Sequence, residues 1–104
     1  MRILYSPQRN EEILEYSFKG ENVTVVHKIP IKEVEGEMTY KEQSDTFNFI
    51  NVGDGILQDI ETILPINPIL SAERKNGVLN VILLNYIGED AIYEERFPTW
   101  QEVS

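Results

Sequence analysis

The chain carries one histidine, His27, and no cysteine, so it has few of the side chains that most often serve as nucleophile, base or soft metal ligand. Histidine works as a general acid or base when a second group orients it and the reacting proton lies within reach. No residue pattern singles out such a partner for His27. It falls on the Val23, Val25, His27 face of a predicted strand, where packing or an edge position accounts for it. The five serines, Ser71 among them, lack the Gly-x-Ser-x-Gly turn that exposes a hydrolase nucleophile. Gly53-Asp54-Gly55 opens like a phosphate-cradling loop, but Gln58 stands where a third glycine belongs. No Lys-Ser or Lys-Thr pair follows, and no clear helix offers its N-terminus to an anion. A simple turn accounts for these glycines.

Carboxylates are plentiful. Glu33, Glu35 and Glu37 form one run, followed later by Glu89-Asp90 and Glu94-Glu95. On a strand, the first three project to one side and offer oxygen ligands to a hard cation such as calcium. The same charges equally guard an edge strand against pairing with other chains. The EF-hand pattern is absent, and a solvated charged loop is the simpler account. A glycosidase-like pair meets in space rather than in sequence, and nothing here selects one. The expectation is therefore no catalytic residue, no cofactor and no metal.

The 104 residues suit one domain, residues 1–104, large enough to bury a core. A hydrophobic fraction of 41% and ten aromatic residues (four Phe, five Tyr, one Trp) argue against disorder. Nine basic against eighteen acidic side chains give a net charge of −9. That sign disfavours nucleic acid, whose binding rests on clustered Lys and Arg, and anionic membrane surfaces. Only Arg74-Lys75 are adjacent basic residues. Without cysteine there is no disulfide scaffold and no thiolate zinc site. The opening residues lack the apolar run of a signal peptide, and no segment approaches a transmembrane length. The expected location is the cytoplasm, or a particle assembled there.

The elements that must position these side chains read as strands separated by turns. Arg2 to Tyr5 is a short first strand, stopped by Ser6-Pro7. Ile13 to Lys19 alternates, with Leu14, Tyr16 and Phe18 on one face, the period of a half-buried strand. Gly20-Glu21 suits a type II′ turn, so the strand Val23 to Ile29 returns with Val23 opposite Phe18. Pro30 suggests a strand end or an edge. Lys32 to Glu37 reads as an exposed loop or hairpin tip, after which Met38 and Tyr40 alternate with polar neighbours. Asp45 to Ile50 is strand-like, with Phe47 and Phe49 on one face, and Asn51 to Gly55 closes it. Ile56 to Leu64 has apolar residues at helical spacing but is short and runs into Pro65, which favours strand or irregular structure. Pro65 and Pro68 hold the chain extended up to Ile69.

A second hairpin pairs Ile69–Arg74 with Val78–Ile87 across Lys75-Asn76-Gly77. Its return strand is apolar on both faces, with Leu79, Val81, Leu83 and Ile87 on one and Ile82, Leu84 and Tyr86 on the other. A sheet with one wet face alternates instead. This strand is therefore sandwiched within the monomer or covered by another subunit. Glu89 to Phe97 suits one or two helical turns with Ala91, Ile92 and Phe97 inward, and Pro98-Thr99-Trp100 pins the tail. The expected fold is mainly β: a small antiparallel sheet, sandwich or barrel-like, with at most a short C-terminal helix.

Ile3-Leu4-Tyr5-Ser6-Pro7-Gln8, the strand Asp45-Thr46-Phe47-Asn48-Phe49, the run Leu64-Pro65-Ile66-Asn67-Pro68-Ile69-Leu70-Ser71-Ala72 and Asn76-Gly77-Val78 resemble a group of small phage and prophage proteins. These are encoded in Gram-positive bacteria such as bacilli, often near tail genes, and Phe97-Pro98-Thr99-Trp100 fits the same pattern. The resemblance covers most of the chain, least so Ile29 to Ser44. It implies a phage-related role and transfers no functional residue.

Together these features suggest a non-enzymatic structural or assembly protein that binds a protein partner or itself through a sheet face or edge. The candidate interface is Leu79, Ile82, Leu84 and Tyr86, with Phe47, Phe49 and Trp100 behind them. The rival is an acidic binding module or inhibitor of a basic host protein. Its contacts would be salt-sensitive, because exposed charges are screened over about 8 Å at physiological ionic strength.

Overall fold

The computed structural model describes residues 1–104. Two sheets carry nearly all of the regular structure. In chain order the strands are β1 (Arg2–Arg9), β2 (Ile13–Lys19), β3 (Asn22–Val34), β4 (Glu37–Asn48), β5 (Gly55–Ile56), β6 (Ile69–Lys75), β7 (Val78–Ile87) and β8 (Gln101–Glu102), with a single helical turn α1 (Tyr93–Arg96) before β8. The first sheet has the order β5-β6-β7-β1-β8 and the second is the meander β2-β3-β4. The expected mainly β fold with one short helix is what forms, as two sheets.

β7 lies inside the first sheet, antiparallel to β6 and parallel to β1, with Ile3 opposite Val81 and Tyr5 opposite Leu83. The parallel pair departs from the antiparallel expectation. Parallel neighbours need a long crossover, and the whole second sheet lies between β1 and β7 in sequence. β1 also runs on through Pro7 to Arg9 rather than stopping at Ser6. β8 pairs only with Arg2 and Ile3, so the rest of β1 has an open edge where a proline removes no needed donor.

The turns are as tight as their sequences suggest. Gly20 has φ +62°, and the flanking pairs Lys19–Asn22 and Phe18–Val23 form. Asn76 and Gly77 both take positive φ, as a type I′ turn requires. Glu35 and Gly36 do the same at the tip of the β3–β4 hairpin, where Val34 pairs with Glu37. Pro30 therefore sits within β3, at a break in register before Lys32 and beyond the end of β2, which reaches only to Lys28. Bulges and open edges are where a strand tolerates proline.

The core lies between the sheets. From the first come Ile3, Ala72, Leu79, Val81 and Leu83, and from the second Leu14, Val23, Val25 and Phe47, joined by Phe49 and Leu64. The Phe47 and Phe49 rings lie 6.4 Å apart and 8° from parallel. Residues 57–68 form no helix; Asp45 and Gln43 hold this segment. Asp45 accepts from Thr62 Oγ1 at 2.7 Å and from the Ile63 N–H at 3.2 Å, and Gln43 Nε2 donates to the Ile63 carbonyl at 3.1 Å. At the C-terminus, Ile92 and Phe97 are 59% and 62% exposed, not inward as expected. A single turn has too little surface to bury them; the Tyr93 and Phe97 rings pack on each other instead, 4.9 Å apart. β8 anchors the tail, and Trp100 lies under the Arg2 guanidinium at 5.2 Å. No helix is long and apolar enough to cross a membrane.

Candidate functional site

The second sheet does not end where the core ends. Past Lys28, β3 and β4 pair only with each other, and no buried core residue falls between Lys28 and Thr46. The molecule is elongated, 52 Å against 31 and 22 Å. The arm is not uniformly charged. Ile31, Val34, Met38 and Tyr40 are exposed by 63, 44, 45 and 38%. At its root, Lys28 on the central strand pairs with Glu15 on β2 and with Glu42 on β4, the latter at 3.4 Å. The hydrogen bond to Glu15 raises the lysine pKa, so the charge that stitches the three strands persists.

Between the arm and the body lies an open groove of about 800 Å³. Pro30, Met38 and Tyr40 form its arm side, and Tyr86, Ile87 and Gly88 its body side. The β1–β2 connection, Asn10 to Glu12, and the first residue of β2, Ile13, complete the lining with Arg9 and Glu89. Arg9 and Glu89 form an ion pair at its margin. Glu12 also lines the groove, and its Oε1 accepts a hydrogen bond from His27 Nε2 at 2.6 Å. A carboxylate can only accept here, so Nε2 carries the proton.

Sequence reasoning did not find Glu12 as the partner of His27. The two lie fifteen positions apart, and only the β2–β3 hairpin, which sets Leu14 opposite His27, brings them together. His27 is 1% exposed, with Nε2 engaged by Glu12 and Nδ1 buried without a partner, so neither ring nitrogen is open to solvent. Its ring lies 6.5 Å from Tyr86, next to a group of half-buried tyrosines. Tyr5 and Tyr16 are 5.8 Å apart, and the Tyr16 hydroxyl donates to the Leu84 carbonyl. Burial raises all three tyrosine pKa values. That of Tyr16 is pushed furthest, with Tyr5 and Tyr86 adding to it.

The other sequence candidates scatter. Leu79 is 1% exposed and belongs to the core between the sheets, and Leu84 is 9% exposed beside Pro68, whose carbonyl takes its N–H at 2.8 Å. Ile82 and Tyr86 keep partial exposure, and only Tyr86 reaches the groove. Phe47 and Phe49 are core residues, while Trp100 stays partly open. Glu33, Glu35 and Glu37 sit around the arm tip, with Glu35 in the turn itself. No three acidic or histidine side chains converge as metal ligands would. Asp54 of the Gly-rich stretch accepts from the Gly77 N–H at 3.3 Å, linking two turns. Comparison with known proteins finds no matching family model, no matching curated protein and no matching solved structure.

Proposed function

We propose that this chain is a non-enzymatic interaction protein of phage or prophage origin, a structural or assembly component, and that the β3–β4 arm is the part that meets its partner. One observation carries the reading: four large apolar side chains, Ile31, Val34, Met38 and Tyr40, stand exposed on an arm that contributes nothing to the core. Met38 and Tyr40 share one face of the hairpin and Val34, opposite Glu37, lies on the other, so both faces of the arm offer apolar surface to a partner. The phage assignment draws on the resemblance of the strand and turn segments.

The test is capture from a Gram-positive host with its prophage induced, using the parent chain and a shortened one in which residues 30 to 40 are replaced by Asn-Gly. Ile29 and Lys41 face each other, so a two-residue turn closes the hairpin without disturbing the core. The expected result is phage particle proteins bound to the parent and absent from the shortened chain. Equal capture by both, or capture of a single host protein alone, would count against the proposal.

A further inference from the structure

The groove at the root of the arm combines apolar walls with a net negative lining. Three carboxylates, Glu11, Glu12 and Glu89, and one guanidinium, Arg9, line it, which sums to 1 − 3 = −2. Arg9 is already taken by Glu89, so no lysine or arginine faces Glu11 or Glu12. Glu11 is exposed, and Glu12 keeps 31% of its side chain open despite its bond to His27. Tyr40, 38% exposed, and Tyr86 share the lining, and tyrosine ring faces attract cations. A groove of about 800 Å³ is large enough for several side chains. Its sign, on a chain of net charge −9, repels phosphate, nucleic acid and anionic lipid.

We infer that this groove seats a basic segment of a partner protein, with a lysine or arginine charge met by Glu11 and Glu12. Its aliphatic stem lies against Met38, Tyr40 and Tyr86. Long basic side chains have this divided character, an apolar stem with a charged head. The inference rests on the interaction reading above and gives that reading a partner chemistry. It also accounts for the position of the groove: one wall is the arm and the other is the body, so a bound segment touches both.

The probe is an eight-residue peptide alternating valine and lysine, with valine–glutamine and valine–glutamate peptides as controls. Binding is followed by backbone amide shifts of the isotope-labelled chain. The lysine peptide is expected to shift Glu11, Glu12, Tyr40 and Gly88, to weaken as salt is raised, and to bind tighter than either control. Glu11→Lys and Tyr40→Ala alter exposed positions and are each expected to weaken it about fivefold, the scale of one exposed charge or cation–π contact. Their amide spectra report that the fold is kept. Equal binding of all three peptides, shifts confined to another surface, or undiminished binding by Glu11→Lys would overturn the inference. If the groove fails while capture still depends on the arm, only the groove assignment falls. If the lysine peptide binds while capture ignores the arm, the arm reading falls and the groove stands.

Discussion

At the scale of single residues, Arg74 does more than any other side chain to hold the two sheets in register. Its five N–H groups all find acceptors. Nη1 and Nη2 grip the two oxygens of Glu21 at 2.9 and 2.8 Å, and the rest reach the Val52, Phe49 and Gly77 carbonyls. One guanidinium thus ties the β2–β3 turn, the exit of β4 and the β6–β7 turn together. A lysine could not reproduce this fork, so Arg74→Lys is expected to destabilise the fold despite keeping the charge. The arginine's hydrogen bonds hold the Glu21 carboxyl below its ordinary pKa, against a smaller opposing effect of burial. A carboxylate with a lowered folded pKa contributes stability that is fully present above its unfolded value of about 4.3. That stability is lost as pH falls through the lowered value. Urea unfolding at a series of acid pH values should show it: the parent weakens through this window, and Glu21→Gln weakens less. Identical acid profiles for the two would remove Glu21 from the account.

At the scale of elements, β7 shows what the sequence could and could not reveal. Its run from Leu79 to Leu84 announces burial, and the structure buries Leu79, Val81, Leu83 and Leu84 within the monomer. The pattern could not say that a parallel β1 would be one of its neighbours, because no local turn joins the two strands. Leu83→Ala is expected to cost about 3 kcal/mol in chemical unfolding, as a fully buried leucine does. Ile82→Ala, on the more open face, is expected to cost about 1 kcal/mol. Equal losses would mean that this face is covered in the folded chain or its assembly. The two tight hairpins were legible because glycine at Gly20 and Gly77 fixes the turn and alternation then fixes the register. The arm was half legible. Its charged tip reads as exposed, but the weak strand propensity of Lys32 to Glu37 hides strands that continue to Val34 and Glu37. They continue because a two-residue turn at Glu35-Gly36 lets them pair to the end. The groove was not legible, since Glu11, Tyr40 and Tyr86 are near in space and far apart in sequence.

At the scale of the whole molecule, the chain separates into a body that carries the stability and an arm that carries surface. All thirteen core residues lie in the body. The arm adds four exposed apolar side chains and one wall of the acidic groove. A second candidate surface, the outer face of β7 around Ile82, is part of the body and is flanked by Leu4 and Ser71. Site-specific photo-crosslinking separates the two most directly. A photoreactive phenylalanine is placed at position 31 in one chain and at position 82 in another, and each is irradiated in the induced host. Crosslinks to a phage particle protein from position 31 and none from position 82 are the expected result. Crosslinks from position 82 alone would contradict the account and move the interface to the sheet face.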